Sequence, residues 1–416
     1  MTPSPTATAA ELDAADPLAG FRDEFELPDG IYFVGNSLGA MPKATREHVN
    51  LELDRWATIG VEGHFNGETA WKDMHRLLGP PFARLVGAGL DEVVAMNSLT
   101  VNLHLLLISF YRPTAQRHKI LIEEHAFPSD HFAIESQIRQ RGHDPAESLV
   151  VVSPREGEET LRVDDILGAI EEHGHQLALI MLPGVQYYTG QVLPMADITA
   201  AGHAVGATVG FDLAHAAGNI PMTLHDWDVD FAAWCTYKYL NAGPGSTGAI
   251  FVHGRHGQDL TVPRFAGWWG NDPDLRFDMH AEATFVPRVG AAGWKISNPS
   301  VLAMAPVGSS AEIFAEAGMD ALRERSKRLT GFLETGLAGV ADATVITPSD
   351  PERRGCQLSV RVKVPPGELE AQLHERGVVV DARDPDIIRI APAPLYNSFE
   401  DIVDAVEALI DILGPA

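Results

Sequence analysis

Four short segments of the chain place polar side chains directly after apolar runs. They are Asn97-Ser98-Leu99-Thr100, Phe127-Pro128-Ser129-Asp130, Asp212 with His215, and Thr236-Tyr237-Lys238-Tyr239. In open α/β sheets, ligands bind beyond the carboxyl ends of the strands, so polar residues at such positions are candidates for chemistry. Each segment also has a plain structural interpretation, and the argument therefore depends on how they combine.

The first two segments lie where a helical pattern begins. Backbone N–H groups at a helix N-terminus, together with the Thr100 hydroxyl, could hold a phosphate. The Phe127 ring could stack on a flat cofactor. The alternatives are ordinary helix capping, with Ser129 or Asp130 as the cap of the second helix, and a core position for Phe127.

The other two segments contribute an acid and an amine. An acid that emerges from a buried strand needs a partner, and a carboxylate such as Asp212 suits a pyridinium nitrogen because it keeps that nitrogen protonated. A metal pair with His215 or a structural salt bridge are alternatives, but no further ligand follows at metal spacing, so no metal is expected. A lysine usually lies at the surface. When Lys238 is buried or forms a Schiff base, however, it becomes useful for catalysis.

Together, the four segments predict a pyridoxal-phosphate site. A phosphate-binding turn, a stacking ring, a buried acid and a lysine all fall at strand ends of one predicted sheet. Each signal is weak alone, and their joint occurrence points to Lys238 as the residue that carries the cofactor as a Schiff base.

The pattern around these segments predicts the elements that position them. From about Asp91, short apolar runs alternate with helical patterns as far as GAIFVH, which gives six or seven strands. Several runs are apolar at consecutive positions, which is typical of a mainly parallel sheet with helices on both faces. The fold class is therefore α/β. We expect a tail over 1–27 that is docked only in part, a segment 28–64 that packs with the small domain, a large domain 65–305, and a smaller α+β domain 306–416.

Bulk properties exclude several classes of partner. A net charge of −26 leaves no basic stripe for a nucleic acid backbone. No apolar run approaches the length of a membrane span, so no membrane partner is expected. The two cysteines lie far apart in sequence and no signal peptide is recognisable, which predicts a cytoplasmic protein.

The order of the motifs resembles the kynureninase family, which are fold-type-I pyridoxal-phosphate enzymes of the class V aminotransferase superfamily. The resemblance spans most of the chain. The matching segments are Gly35-Asn36-Ser37-Leu38-Gly39, Asn97 to Asn102, Phe127 to Asp130, Tyr187-Tyr188-Thr189-Gly190-Gln191, Asp212 to His215, Cys235 to Tyr239, Ile296 to Pro299, Arg389 to Pro392 and Leu395 to Phe399.

This resemblance implies roles for individual residues. Lys238 would bind the cofactor, Asp212 would pair with its ring nitrogen, and Phe127 would stack on the ring. Cofactor binding would be completed by Leu99, Thr100, Pro128, Ser129, Asp130, His215 and Tyr237. Trp268 and Asn298 would come from the neighbouring subunit, which implies a homodimer with a shared active site. Arg389 would grip the α-carboxylate of an amino-acid substrate. Pro183 departs from the small hydroxyl residue expected there.

The implied activity is hydrolysis of the Cβ–Cγ bond of L-kynurenine or L-3-hydroxykynurenine, giving an anthranilate and L-alanine. Such a reaction belongs to tryptophan catabolism or to NAD biosynthesis. Lys238 would move the Cα proton, and Tyr237 is a hypothesis for the proton donor or relay. His64, Ser297 and Asn298 would lie beside the aryl ring, which predicts a preference for the hydroxylated substrate.

Two other functions share part of this pattern. A cysteine desulfurase or a class V aminotransferase would also use Lys238 and Asp212, but a desulfurase adds a mobile nucleophilic thiol. Neither Cys235 nor Cys356 lies in a segment of that kind. A protein that keeps the fold without catalysis is disfavoured because Lys238 and Arg389 are both present.

Overall fold

A computed structural model describes residues 5–278, 280 and 284–416 of the chain. Its largest element is a seven-stranded sheet. In chain order the strands are β1 (Val93–Ala95), β2 (Lys119–Glu123), β3 (Leu149–Val152), β4 (Leu177–Pro183), β5 (Thr208–Asp212), β6 (Phe231–Trp234) and β7 (Ala249–Val252). Each of these runs was predicted as a strand, and all seven are confirmed.

The strands follow the order β1-β7-β6-β5-β4-β2-β3 in the sheet. β7 is antiparallel to both of its neighbours, β1 and β6. The remaining pairs are parallel. The prediction of a mainly parallel sheet is therefore confirmed, and the consecutive apolar residues are explained because both faces are covered.

Helices cover both faces of this sheet, and other helices belong to the smaller C-terminal domain. In chain order they are α1 (Pro5–Ala14), α2 (Thr45–Ile59), α3 (Met74–Leu77), α4 (Gly79–Val86), α5 (Leu99–Phe110), α6 (Pro128–Gln140), α7 (Pro145–Ser148), α8 (Val163–His173), α9 (Met195–Ala204), α10 (Gly254–Gly257), α11 (Val301–Ala317), α12 (Met319–Leu337), α13 (Pro366–Glu375) and α14 (Phe399–Leu413). Within the described ranges, every helix is too short or too polar to cross a membrane.

The ends of the strands bring the predicted site residues to one edge of the sheet. β2 ends at Glu123 and is followed by α6, while β5 ends at Asp212. β1 leads into α5, and β6 is followed directly by the segment that contains Lys238. Because the parallel strands run in one direction, their carboxyl ends lie together at this edge.

The C-terminal part forms its own α+β unit. Its antiparallel sheet contains β8 (Ala343–Val345), β9 (Leu358–Val362), β10 (Asp381–Arg383) and β11 (Ile387–Ile390), in the order β8-β9-β11-β10. Apolar side chains of β9 and β11 form a buried core with those of α12 and α14. A capping box of Ser398 and Asp401 starts α14 and ends the loop that follows β11.

The N-terminal segment packs against this C-terminal unit. α1 lies against α14, and the Asp13 carboxylate accepts hydrogen bonds from the backbone N–H groups of Phe399 and Glu400, at 2.9 and 3.0 Å. Asp16 forms a buried salt bridge of 2.7 Å with Arg325. From Pro5 onward the segment is therefore docked more completely than we expected. The next segment adds a short strand, Ile31–Tyr32, which pairs in parallel with Val378–Val379.

Candidate active site

A cavity opens at the carboxyl edge of the large sheet and gathers most of the predicted residues. Its lining includes Leu99, Thr100, Phe127, Asp130, Asp212, His215, Tyr237 and Lys238. These side chains come from the four separate segments of the chain that were predicted to follow strand ends. Pro183, the residue that departs from the family pattern, also lines the cavity.

Lys238 and His215 form a hydrogen-bonded pair inside this cavity. The Lys238 Nζ atom lies 3.0 Å from Nε2 of His215. Burial, and then the positive charge of Lys238, hold the pKa of His215 well below its usual value, so the imidazole is neutral. Nε2 accepts from the lysine, which places the imidazole proton on Nδ1, a buried atom without a hydrogen-bond partner in the described chain. His215 therefore orients the Lys238 amine.

Three carboxyl groups share the same cavity. Asp130 lies within hydrogen-bonding reach of Asp212, and burial together with the nearby Asp212 charge raises the pKa of Asp130 well above its usual range. Burial also raises the pKa of Glu123 to about 8. Two of the three acids are thus protonated at neutral pH, and the cavity avoids three negative charges at close quarters. The protonated Asp130 donates to Asp212.

The two helix starts present donors toward the cavity. Leu99 and Thr100 begin α5, and the Thr100 hydroxyl lies 2.8 Å from the hydroxyl of Ser129 on the first turn of α6. Pro128 occupies the first turn of α6, where its missing N–H costs no helix hydrogen bond. Backbone N–H groups at a helix N-terminus favour an anion, so this wall of the cavity suits a phosphate.

Phe127 is not a core residue. Its side chain is 42% exposed, and its ring lies 5.6 Å from the Lys238 Nζ atom. The ring of Tyr187 packs edge-on against it at 5.3 Å. The structural alternative for Phe127 is therefore wrong, and a ring in this position can cover a flat ligand held beside Lys238.

The segment around Lys238 packs against the Gly35-Asn36-Ser37-Leu38-Gly39 motif from the N-terminal part of the chain. The Gly39 N–H donates to the Tyr237 carbonyl at 2.8 Å. A Cβ atom at Gly39 would lie 2.3 Å from the Lys238 carbonyl, so only glycine fits there. The Tyr237 phenol contacts the Cys235 thiol, and burial raises its pKa, which keeps the phenol protonated.

Arg389 does not line the cavity itself; it contacts Tyr187, which does, and its guanidinium is already engaged. Its guanidinium pairs with Asp381, donates to the Tyr187 carbonyl at 2.8 Å and lies 3.2 Å from the Ser37 hydroxyl. Only Nε has no partner in the described chain, and the side chain is 1% exposed. Arg383 pairs with the other Asp381 oxygen at 2.7 Å. Asp381 thus occupies the position that a bound carboxylate would take on Arg389.

Pro128, Ser129 and Arg389 do not line the cavity themselves, and four further predicted residues are also absent from its lining in this single chain. Trp268 packs against Trp269 and is 38% exposed, Ser297 and Asn298 are exposed, and His64 contacts the Trp71 ring at 5.2 Å. Their placement is compatible with a role toward a second subunit, which stays a prediction.

Sequence reasoning missed Glu123 and gave Tyr187 no role of its own. Glu123 carried the same signal as Asp212, an acid at the end of an apolar strand, but the exposed Glu124 beside it hid that signal. Tyr187 lines the cavity and links Phe127 to Arg389 through its ring and its carbonyl. Glu123 is positioned by the end of β2, and Tyr187 by the loop that follows β4.

The cavity fits pyridoxal phosphate on its own evidence. Asp130 Oδ1 and His215 Nδ1 are buried without hydrogen-bond partners in the described chain, and both residues line the cavity together with Lys238 and Asp212. A lysine amine, an acid for a ring nitrogen, an aromatic cover and helix N-termini for a phosphate are the donor set that this cofactor requires.

Comparison with solved structures defines the class of protein. A C-DES variant with glycine covalently linked to its pyridoxal-phosphate cofactor has a TM-score of 0.78 and 18% identity, with coverage of 94% of this chain and 99% of that chain. The cysteine desulfurase CsdA from Escherichia coli has a TM-score of 0.77 and 17% identity, with coverage of 95% and 99%. The fold is that of the fold-type-I pyridoxal-phosphate enzymes.

Sequence comparison defines the family. The kynureninase C-terminal domain model matches residues 322–409. A kynureninase from Koribacter versatilis (strain Ellin345) is 54% identical over 410 residues, which cover 97% of this chain and 96% of that protein. The chain belongs to the kynureninase family, pyridoxal-phosphate hydrolases of carbon–carbon bonds in ketonic substances.

The raised pKa of Glu123 generates a prediction for stability. In the cofactor-free protein, the folded state holds a proton on Glu123 up to about pH 8, whereas the unfolded chain releases it near the ordinary value of 4.5. The contribution of Glu123 to the free energy of unfolding is therefore lost as the pH rises from the ordinary value of 4.5 to about 8. Glu123→Gln should remove that part of the pH dependence.

Urea unfolding of the cofactor-free protein between about pH 5 and pH 8 measures this effect as the difference between wild type and variant. Glu124→Gln is the matched control, since Glu124 is the exposed neighbour on the same strand end. An unchanged pH slope in Glu123→Gln would show that the carboxyl group is ionised in the folded protein.

Proposed function

We propose that the cavity at the carboxyl edge of the large sheet hydrolyses the Cβ–Cγ bond of L-kynurenine, or of its 3-hydroxy derivative, to an anthranilate and L-alanine. The observation that carries this proposal is the Lys238 amine, which lies 3.0 Å from His215 inside a cavity that also contains Asp212 and Phe127. The reaction is the one expected of the family.

Each cavity wall has a role toward the cofactor. The Lys238 amine would hold it, Asp212 would pair with the ring nitrogen, and Phe127 would cover the ring. The helix starts at Leu99-Thr100 and Pro128-Ser129 hold the phosphate. When bound, pyridoxal phosphate supplies the electron sink for the reaction. Asp130 donates a hydrogen bond to Asp212 and so holds that carboxylate in place.

Proton movement rests on Lys238 and Tyr237. With the cofactor and substrate bound, the Lys238 amine would take the proton from the substrate Cα atom, and neutral His215 accepts a hydrogen bond from that amine at 3.0 Å. Burial keeps the Tyr237 phenol protonated, so it can donate a proton or a hydrogen bond to the leaving group. The two residues are separated by one peptide bond, which fixes their relative position.

Arg389 selects the amino-acid end of the substrate. An arginine fork matches a carboxylate, and the side chain is fully buried beside Tyr187. Because Asp381 holds the same guanidinium, an incoming α-carboxylate must share or displace that pair. The arrangement keeps Arg389 oriented and charge-balanced before the substrate arrives.

The active site is completed by a second copy of the chain. Trp268 and Asn298 lie on an exposed segment outside the cavity, and Phe265 and Phe277 are exposed nearby, at 52% and 43%. An exposed apolar patch of this kind is typical of a subunit interface. In a homodimer these residues contact the partner's cofactor, and His64, Ser297 and Asn298 contact the substrate aryl ring, with a preference for the 3-hydroxy substrate.

A desulfurase reaction is disfavoured by the cysteines. Cys235 and Cys356 are 2% and 0% exposed, and burial raises the pKa of their thiols to about 11 and about 12. Neither thiol is an accessible nucleophile. Their free, buried state also suits a reducing compartment, so we place the enzyme in the cytoplasm, in tryptophan catabolism or NAD biosynthesis.

A substrate assay tests the reaction and the preference together. The holoenzyme should release a fluorescent anthranilate from kynurenine, and kcat/KM should be higher for 3-hydroxykynurenine, since polar groups aimed at a hydroxyl penalise an analogue without it. Alanine formation is measured in parallel. Equal efficiency with both substrates would contradict the preference, and no anthranilate at all would contradict the reaction.

Tyr237→Phe tests the proton donor. Loss of general acid catalysis typically slows turnover by about 10²–10⁴-fold, so we expect a large fall in kcat with the visible cofactor band retained. Tyr32→Phe is a control, because that phenol donates to the Leu38 carbonyl and does not line the cavity. Unchanged turnover in Tyr237→Phe would remove the role.

Mixing two inactive variants tests the shared site. Lys238→Ala removes the cofactor lysine of its own subunit, and Asn298→Ala removes a residue contributed to the partner. A mixed dimer contains one site with both natural residues, so activity should return after the two variants are dissociated and reassociated together. If the sites are formed within single chains, the mixture stays as inactive as its components.

A further inference from the structure

Lys295 is a buried lysine without a counter-ion among the residues that the structure describes. It follows the short 3₁₀ turn Ala291–Trp294 and is 2% exposed. Its Nζ atom has no hydrogen-bond partner among the described residues. The Nζ atom lies 6.0 Å from the centre of the Trp269 ring. An ammonium group in such a position is costly unless an anion accompanies it.

Further cationic donors surround Lys295. The Arg276 guanidinium lies 4.3 Å from the same Trp269 ring, and its Nε atom is buried without a partner. Arg288 has an unpartnered Nη1 atom, and both ring nitrogens of His75 are buried and unpartnered. Arg276 and Lys295 both lie over the Trp269 ring. Burial, and then the charges of Lys295, Arg288 and Arg276, lower the pKa of His75. We call His75, Arg276, Arg288 and Lys295 the Lys295 cluster.

The acids around the cluster do not balance it. Asp73 and Asp272 act on Arg276 and Arg288 from a distance. Asp73 is paired with Arg76 at 3.2 Å, and Asp272 accepts the Asp274 N–H at 2.8 Å. Within the described chain, neither acid bonds to Lys295, so the cluster has more positive than negative charge.

We propose that the Lys295 cluster is a binding site for a small inorganic anion, of the size of chloride or phosphate. One such ion would accept hydrogen bonds from the Lys295 amine, Arg276 Nε and Arg288 Nη1, the donors that otherwise have no acceptor. A neutral His75 can add a donor from either ring nitrogen. The site lies outside the Lys238 cavity, and it requires no assumption about the reaction.

Burial supports the same conclusion from another direction. Without an anion, desolvation holds the pKa of Lys295 well below its usual value and lowers that of His75 to about 2. Lys295 and His75 would then avoid the cost of a buried charge only by being neutral, and the donors would still lack acceptors among the described residues. An anion removes both costs together.

The cluster joins parts of the chain that are distant in sequence. His75 lies on α3, Arg276 donates to the Trp269 carbonyl at 3.0 Å, and Lys295 precedes the segment that contains Asn298. Anion binding therefore stabilises the region that carries Trp268 and Asn298. Its effect on stability follows mass action and saturates with anion concentration.

Thermal unfolding of the holoenzyme tests the proposal, with chloride as the probe and gluconate replacing it at constant ionic strength. Wild type should show a saturable rise in Tm with chloride. Lys295→Met should show no rise, and without chloride it should melt at or above the wild-type temperature, since a buried amine without an acceptor is gone. Lys363→Met, which changes an exposed lysine paired with Asp342, should behave as wild type.

The proposal is overturned if the Tm of wild type does not distinguish chloride from gluconate, or if Lys295→Met keeps the full response. A second measurement does not depend on any variant folding. Crystals of the wild-type holoenzyme soaked in bromide should show an anomalous peak within hydrogen-bonding distance of Lys295 Nζ. Absence of a peak at the Lys295 cluster would equally contradict the site.

Discussion

The site depends on one electrostatic constraint: three carboxyl groups and a histidine are buried beside the half-buried Lys238 at the carboxyl edge of the large sheet. Charges taken from water must be paired or neutralised. The structure does both, since Glu123 and Asp130 are held protonated while His215 is neutral and accepts from Lys238. This arrangement leaves Lys238 hydrogen-bonded and pointing into the cavity.

The second domain enters the site through Arg389 and its partner Asp381. The two residues face each other on the paired strands β11 and β10, so the register of that pair brings the carboxylate to the guanidinium. Arg389 then reaches the Tyr187 carbonyl on the large domain, and Ser37 contacts both Arg389 and Asp381. The position of the candidate substrate anchor is therefore set by contacts between three parts of the chain.

Much of this was accessible from the sequence, because strand ends can be located from apolar runs alone. Asp212 and Lys238 were found in that way, and so were the helix starts at Leu99 and Pro128. Glu123 was missed because its burial depends on the neighbouring strands β3 and β4, and periodicity within β2 does not show which of two adjacent acids faces the cavity. The pairing of Arg389 with Asp381 was equally invisible, since it follows from strand register.

The fold alone does not choose the reaction. Enzymes with 17–18% identity share the architecture, yet they include a cysteine desulfurase. What separates this chain from that chemistry is physical: both of its thiols are enclosed, while the cavity offers a phenol beside the lysine, and a buried guanidinium contacts Tyr187 of its lining. A desulfurase needs a thiolate that can reach the substrate, whereas hydrolysis of a carbon–carbon bond needs proton donors held in place. The side chains around Lys238 meet the second requirement and not the first.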